Sequence, residues 1–113
     1  MDSLLKLHEE SQKYRKSLGE AVPVVRECHD AYRDAVYKDG VLSAKTKRLI
    51  GIAAAVKSAN LFPAINCTIQ AVKLGATKEE IMEAVSVAMA MGGNSAIEYG
   101  SHVVKVLQEM GKW

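Results

Sequence analysis

The sequence has few of the residues that carry metal, disulfide or redox chemistry. Its only two cysteines, Cys28 and Cys67, lie far apart and form no Cys-x-x-Cys pair. Because no His or Cys residues cluster at ligand spacing, we expect no metal and no cofactor. The chain also lacks an apolar run of the ~20 residues that a membrane span needs. Its first residues include acids and lack the apolar core of a signal peptide, so a reduced, cytoplasmic location is the default expectation.

An excess of charge of one sign is also missing. The chain has 15 Lys and Arg against 13 Asp and Glu, for a formal net charge of +2. This balance is typical of a mixed solvated surface and gives no reason to expect nucleic acid or a membrane as a partner. Hydrophobic residues make up 49% of 113 residues, which is enough for one folded domain, and we expect that domain to span residues 1–113.

What the chain does have is apolar residues at helical spacing, in six stretches separated by stop signals. The spacing predicts helices over about 2–18, 24–37, 44–58, 62–74, 78–91 and 95–111. Gly19 and Pro23 are predicted to end the first helix, and Ser43 is predicted to cap the third. No stretch has the alternation of a strand. The predicted fold class is therefore all-α, a compact bundle of about six helices.

Two residues of the second predicted helix carry chemistry that needs an interpretation. Cys28 lies on the apolar side of this helix with Val25 and Tyr32, so we interpret it as a buried small hydrophobic residue rather than a reactive thiol. His29 adjoins the same side, and no partner for it is visible in the sequence. We interpret it as a structural histidine rather than a base.

The central part of the chain, residues 43–93, resembles the carboxymuconolactone decarboxylase and alkyl hydroperoxidase D family. The matching segments are 43–50, read as Ser-Ala-Lys-Thr-Lys-Arg-Leu-Ile, and 75–81, read as Gly-Ala-Thr-Lys-Glu-Glu-Ile, with the pair Gly92-Gly93. In the second segment Thr77 and Glu80 have the spacing of a helix capping box. The resemblance implies an all-helical fold of the alkyl hydroperoxidase D type, whose subunits form homo-oligomers from dimers to hexamers.

The peroxidase branch of that family uses the motif Cys-x-x-Cys-x-x-x-His and an upstream glutamate. By the resemblance, the two cysteine positions fall on Asn60 and Pro63, the histidine position on Cys67 and the glutamate position on Arg48. Asparagine and proline have no thiol, and arginine cannot accept a proton near neutral pH. We therefore do not expect the dithiol peroxidase mechanism. The decarboxylase branch also has a histidine where this chain has Cys67.

Three functions remain open on the sequence alone. The first is a non-redox oligomeric binding or scaffold protein, and the second is a decarboxylase-type enzyme that acts on a small anionic lactone or keto acid. The third is a single-cysteine, peroxidase-like antioxidant protein that uses Cys67. The candidate catalytic residues are Cys67 and Arg48, and the candidate ligand-binding residues are Arg48, Asn60, Tyr99 and His102. Since a guanidinium binds carboxylates bidentately, one expected partner is a small anionic ligand. The resemblance implies other copies of this chain as the second partner.

Overall fold

A computed structural model describes all residues, 1–113, and consists of six α-helices without a strand. The helices are α1 (Leu4–Ala21), α2 (Pro23–Tyr37), α3 (Ala44–Lys57), α4 (Leu61–Lys73), α5 (Lys78–Gly92) and α6 (Asn94–Glu109). The predicted all-α bundle of six helices is confirmed. None of the helices combines the length and the apolar character that crossing a membrane requires.

The hydrophobic core lies where α3, α4, α5 and α6 meet. α3 packs against both α4 and α5, and α6 covers all three of them. The largest fully buried side chains come from these four helices: Ile52, Val56, Ile65, Thr68, Ile81, Val103, Val106 and Leu107. In α3, α4 and α6 these residues include pairs three or four positions apart, and in α5 Ile81 is followed by the buried Val85 and Ala88, so each helix turns one apolar stripe toward the others.

The predicted caps of α3 and α5 are both present. The Ser43 hydroxyl accepts the Thr46 N–H at 3.1 Å, which makes Ser43 the N-cap of α3. At α5 the Thr77 hydroxyl accepts the Glu80 N–H at 3.1 Å, and the Glu80 carboxylate accepts the Thr77 N–H at 2.9 Å. Lys45 lies 3.0 Å from the same carboxylate. The start of α5 is thereby tied to the first turn of α3.

Gly19 does not end α1, contrary to the sequence prediction. The helix continues to Ala21, and α2 begins at Pro23, so one residue joins the two helices. Gly19 is buried under a side chain of α2, and a Cβ atom there would lie 2.9 Å from Nη1 of Arg26. The glycine thus serves the close approach of the two helices. Pro23 fits the first turn of α2 because the missing N–H has no partner there in any helix.

One carboxylate joins the two ends of the chain. Glu109 of α6 accepts hydrogen bonds from the Ser3 hydroxyl at 2.6 Å, the Leu4 N–H at 3.0 Å and the Leu5 N–H at 3.1 Å. It thereby satisfies N–H groups that the start of α1 leaves free, and its charge suits the helix dipole. Burial would raise the pKa of Glu109, but these bonds and the charge of Lys105 lower it to about 2.

α2 contributes no buried side chain to the fold. Its apolar residues Val24, Val25 and Tyr32 are 71%, 65% and 73% exposed. Cys28 is also exposed, so the prediction that it is buried is wrong for the single chain. The helical stripe on which the prediction rested exists, but no other helix of the chain covers it.

The end of α2 is fixed to α3 by a lysine. Lys47 Nζ donates to the carbonyl oxygens of Val36 and Lys38, both at 2.8 Å, and so satisfies acceptors at the helix C-terminus. Tyr37 consequently lies over α3 at Gly51. A Cβ atom on Gly51 would be 2.8 Å from Cys67 Sγ and 3.3 Å from the Tyr37 hydroxyl. Glycine at this position lets side chains from α2 and α4 meet on the surface of α3.

The Glu109 contacts predict a pH-dependent contribution to stability. Replacement of Glu109 by Gln should lower the free energy of unfolding at pH 7 by about 1 kcal/mol, since a charged acceptor of several hydrogen bonds is lost. Because the folded pKa lies below the ordinary 4.5, this contribution is complete above pH 4.5 and is lost as the pH falls toward 2. Urea denaturation at several pH values measures it, with the exposed Glu83→Gln as the control. A gap between wild type and E109Q that stays constant down to pH 2 would contradict the account.

The close contact at Gly51 predicts that Gly51→Ala destabilises the protein. In an open helix this change would add up to about 1 kcal/mol of stability through helix propensity. Here the new methyl group would overlap Cys67 Sγ, so we expect a net loss of about 1–3 kcal/mol in the free energy of unfolding. Denaturation with urea gives the sign directly. A G51A variant more stable than wild type would show that Cys67 can accommodate the added methyl group, which would contradict this prediction.

Candidate functional site, an arginine-lined cleft

A cleft of about 290 Å³ lies between α1, α2 and α4 and reaches Arg48 on α3. From α1 it is lined by His8, Gln12 and Arg15, which follow one another at helical spacing together with Ser11. Residues spaced by three or four positions share one face of a helix. The long N-terminal helix therefore supplies one continuous polar wall.

α2 supplies the opposite wall with a similar spacing. His29, Arg33 and Tyr37 are each four residues apart and all line the cleft. Arg33 is neutralised on its own helix, since its guanidinium lies 3.4 Å from Asp30 and 3.3 Å from Asp34. Val25 precedes His29 by one helical turn and lines a second, neighbouring cavity with it, so one of the exposed apolar residues of α2 shares the face that carries the wall.

The first half of α4 forms the floor of the cleft. Phe62 and Pro63 from the first turn are exposed, Asn66 is half-buried and Cys67 is buried. Because α4 begins at Leu61 and residues of its first turn line the cleft, the positive end of its helix dipole lies near the cleft.

Arg48 lies against the deepest part of this floor. Its guanidinium carbon is 3.6 Å from the centre of the Tyr37 ring, which is the geometry of a cation–π contact. One guanidinium nitrogen, Nη1, is 3.8 Å from Cys67 Sγ. Burial first and Cys67 second raise the pKa of the Tyr37 hydroxyl, while the charge of Arg48 opposes the rise. Tyr37 is therefore a neutral hydrogen-bond donor throughout the physiological pH range.

The charges in the cleft are not balanced. No Asp or Glu lines it. The ion pairs of the chain include neither Arg15 nor Arg48, whereas Arg33 has two acidic neighbours. Two guanidiniums thus share one cleft without a carboxylate. Both charges therefore attract an anion that enters the cleft.

His8 adds a titratable group to the same wall. Burial first, then the positive charges of Arg15 and Lys73, lower the pKa of His8 below 6.5, against a hydrogen bond with Asn66. His8 also lies 3.3 Å from the Gln12 side chain, nitrogen to nitrogen. An imidazole with a lowered pKa is neutral at pH 7 and can accept a proton from a bound molecule.

The structure brings some of the sequence-predicted site residues together and separates others. Arg48 and Cys67 are in contact, and Pro63 lies beside them in the cleft. Asn60 is outside the lining, at the exposed N-cap of α4, where its side chain makes no capping hydrogen bond. Cys28 and Cys67 are both free thiols.

Tyr99 and His102 are also outside the cleft. They lie on α6 and contact each other edge to face, with ring centroids 5.2 Å apart. His102 Nε2 is 3.6 Å from a Glu98 oxygen, and its Nδ1 is buried without a hydrogen-bond partner. Tyr99 packs against the main hydrophobic core, and neither residue lines the cleft with Arg48.

Sequence reasoning missed most of the cleft. His8 and Arg15 were absent from the candidate residues, as were Arg33 and Tyr37, and His29 was interpreted as structural although it lines the cleft. A usable signal was present: each of the first two helices carries polar and basic residues at three- and four-residue steps beside its apolar stripe. Two such polar faces in consecutive helices are consistent with opposite walls of one site.

Comparisons with known proteins place this chain in a family. The profile of the carboxymuconolactone decarboxylase family matches residues 24–106. An uncharacterized protein of Cupriavidus necator is 32% identical over 85 residues, which cover 75% of each chain.

Solved structures agree with the profile. A carboxymuconolactone decarboxylase family protein of Legionella pneumophila, in its apo form, superposes with a TM-score of 0.93 at 27% identity and covers 99% of this chain and 100% of its own. A family protein of Thermotoga maritima, proposed to take part in an antioxidative response, gives a TM-score of 0.73 at 30% identity, with coverage of 78% and 91%. The profile match begins within α2 and leaves out α1, whereas the superposition on the Legionella pneumophila structure covers both helices. The protein described here therefore belongs to the carboxymuconolactone decarboxylase family.

Proposed function

We propose that this family member binds a small organic anion in the arginine-lined cleft, and that it does so as a non-redox homo-oligomer. The observation that carries the proposal is the pair of guanidiniums, Arg15 and Arg48, that face the cleft without a carboxylate partner. An anion in the cleft would supply the negative charge that the lining itself lacks.

Arg48 is the residue best prepared for a carboxylate. Its guanidinium has five N–H donors. The only hydrogen bond that these donors make within the chain is the weak one from Nη1 to Cys67 Sγ. The Tyr37 ring and the end of α2 hold its plane in one orientation, so little side-chain entropy is left to lose when a ligand binds. A carboxylate that approaches from the cleft can accept two parallel N–H groups.

A function without redox chemistry is supported by the residues at the motif positions and by the two cysteines. By the family resemblance, Asn60 and Pro63 fall at the two cysteine positions of the peroxidase motif, and neither has a thiol. Cys67 is 4% exposed, and the other cysteine, Cys28, is exposed on α2. A sulfenic acid on Cys67 would need a resolving thiol from outside the chain, so the single-cysteine antioxidant function has the least support.

Assembly with further copies is supported by the surface of α2. A 15-residue helix with no buried side chain and several exposed large apolar residues is unusual in a protein that functions as a monomer. A second copy of the chain that covers Val24, Val25 and Tyr32 would also brace the α2 wall of the cleft.

Anion binding through Arg48 is tested by thermal shift and calorimetry with a panel of small carboxylates. A ligand that binds only the folded state raises the melting temperature by mass action. Arg48→Gln should weaken the affinity by roughly tenfold or more, the usual effect of losing a charge-assisted pair. Lys57→Gln removes an equal charge from the exposed end of the same helix and serves as the matched control. If no carboxylate stabilises the wild type, or if R48Q binds as tightly, the proposal is refuted.

A second candidate function, a decarboxylase-type enzyme, is favoured by one observation. His8, which is neutral at pH 7, lines the same cleft as Arg48. With a β-keto acid held at Arg48, the bond to the departing CO₂ breaks and its electron pair forms an enolate with the neighbouring carbonyl. A solvent proton relayed through His8 then adds to the carbon and restores the ketone.

Carbon dioxide release from acetoacetate distinguishes this enzyme from a binding protein. The enzymatic function predicts turnover that falls by roughly 100-fold or more in His8→Gln, with carboxylate affinity through Arg48 retained. Lys13→Gln, an exposed change on the same helix, should keep the wild-type rate. Release at the rate of the uncatalysed reaction in wild type would leave binding as the function of the cleft.

A further inference from the structure

We infer that α2 pairs with α2 of a second copy of this chain across a two-fold axis, and that this pairing holds the α2 wall of the cleft in place. The inference rests on the homo-oligomer of the proposed function. It specifies which surface of the second copy covers α2, and it makes one wall of the cleft dependent on that copy.

The side of α2 that faces its own chain is polar. The residues that the chain partly covers are Arg26, Asp30, Arg33 and Tyr37. They follow one another at steps of four, three and four positions, so they form one face of the helix. A helix at the surface of a monomer ordinarily turns its apolar stripe inward and its polar face to solvent. α2 has the opposite arrangement.

The outward side of α2 is apolar and carries no charged residue. Its members, which we call the outer stripe, are all exposed in the single chain: Val24, Val25, Cys28, Ala31, Tyr32, Ala35 and Val36. Val25, Cys28 and Tyr32 are three and four positions apart, which is the alternating spacing of a helix that packs along another helix. The small side chains of Ala31 and Ala35 leave room for a partner helix to approach.

The apolar surface continues from α2 onto the end of α1. Leu18 and Val22 are exposed and line a cavity of about 370 Å³ together with Val25 at the edge of the outer stripe. The exposed apolar side chains of the two helices offer on the order of 600 Å², which is at the upper end for the largest patch of a typical monomer. A stable dimer buries about 800 Å² on each partner. The outer stripe and its continuation therefore supply most of the area that a dimer needs.

The absence of charge on the outer stripe favours α2 of a second copy as its partner. Across a two-fold axis the same surface meets itself, so a charged residue near the axis would lie close to its own counterpart. The outer stripe avoids this repulsion. A helix that lies in a membrane surface carries Lys and Arg beside its apolar face, whereas Glu27 and Asp34 lie beside the outer stripe. A dissimilar protein is selected through complementary charges, and the outer stripe offers none.

Pairing at the outer stripe also accounts for the position of α2. The helix buries no side chain within its own chain. Polar contacts of Arg26 near its start and of Lys47 near its end attach it, together with the contact between Tyr37 and Arg48. Elements with few buried apolar contacts open locally at low free energy. A second α2 supplies the apolar burial that the inner face lacks, so the wall that α2 forms depends on the pair.

Light scattering after size-exclusion chromatography of the full chain tests the pairing. We expect an even number of copies in wild type, because a two-fold contact joins copies in pairs. Tyr32→Glu should reduce the mass by roughly half, since two carboxylates would meet in an apolar contact. Tyr32→Lys should do the same. Ile97→Glu makes a comparable change at an exposed apolar residue of α6 and is the matched control, which should keep the wild-type mass.

A mixture of the two Tyr32 variants distinguishes self-pairing from a contact with a different surface. If each Tyr32 lies close to its counterpart, Y32E and Y32K attract each other and the mixture should regain the wild-type mass, although neither variant assembles alone. Cys28→Glu and Cys28→Lys, at the middle of the outer stripe, provide a second pair if the Tyr32 variants fold poorly.

The thiol of Cys28 and the amides of α2 report on the contact and on the wall. Cys28 is exposed in the single chain, so N-ethylmaleimide should modify it roughly tenfold or more slowly in wild type than in Y32E. Peptide mapping separates this label from one on the buried Cys67. Backbone hydrogen exchange in α2 should likewise be slower in wild type than in Y32E, while exchange in α4, which contributes to the main core, stays the same.

Each failure has its own signature. A mass that Y32E leaves unchanged, an equal loss of mass in I97E, an odd number of copies in wild type, or a mixture of Y32E and Y32K that stays dissociated would overturn the inference while the homo-oligomer stands. Equal hydrogen exchange in α2 of wild type and Y32E would show that the wall needs no second copy, which contradicts the inference. A monomeric wild type with a reactive Cys28 would overturn the inference and the homo-oligomer together, and would leave the outer stripe to a different protein.

Discussion

An arginine held without a carboxylate is the constraint on which this site depends. Arg48 stacks on Tyr37 and touches Cys67, and each of these neighbours is held in place by something else. Lys47 fixes the end of α2 that carries Tyr37, and Gly51 leaves the space in which the tyrosine and the cysteine meet. The cation is therefore fixed by packing rather than by an ion pair. Its N–H groups remain available to a ligand, which a salt bridge would not allow.

The pair of helices α1 and α2 forms the walls of the cleft and also exposes apolar side chains to solvent. Its inner faces form the walls of the cleft, while the outer face of α2 leaves large apolar side chains in water. α1 is fastened at its first turn through Glu109 of α6. α2 is attached near its start by Arg26, which lies against Gly19 and donates to the Arg15 carbonyl oxygen, and near its end by Lys47 and by the contact of Tyr37 with Arg48. A wall with so few contacts needs support to hold a ligand. The proposed assembly of several copies would supply that support and cover the apolar side chains at once.

Local signals in the sequence were sufficient for the fold and for its helix caps. The apolar periods predicted six helices, and Ser43 and the Thr77–Glu80 capping box act where the spacing placed them, because such signals involve residues only three or four positions apart. Gly19 was predicted to end α1, but it lies within the helix where α2 approaches closely. Glycine is common both at helix ends and where two helices pack closely, so the sequence does not distinguish the two. Cys28 was predicted to be buried because it lies on an apolar stripe. Such a stripe indicates that the helix face packs against another surface, but it does not show that this surface belongs to the same chain.

The site was predicted only in part, for a related reason. Family spacing brought Arg48 and Cys67 to one place, which required only that α3 and α4 pack as a pair. The same family spacing pointed to Asn60, which the structure places at the start of α4, outside the lining of the cleft. Tyr99 and His102 were proposed from their chemistry, and they lie on α6. The cleft residues of α1 could be found only once the docking of α1 through Glu109 was known, since that contact joins residues about a hundred positions apart in sequence. Long-range contacts of this kind leave no periodic trace.

The central claim is that a small organic anion binds in the cleft at Arg48. A crystal structure of the protein grown with a brominated carboxylate, recorded at the bromine absorption edge, tests it most directly. The account predicts an anomalous peak in the cleft, with the carboxylate paired to the Arg48 guanidinium. An empty cleft at saturating ligand, or a peak elsewhere on the molecule, would contradict it.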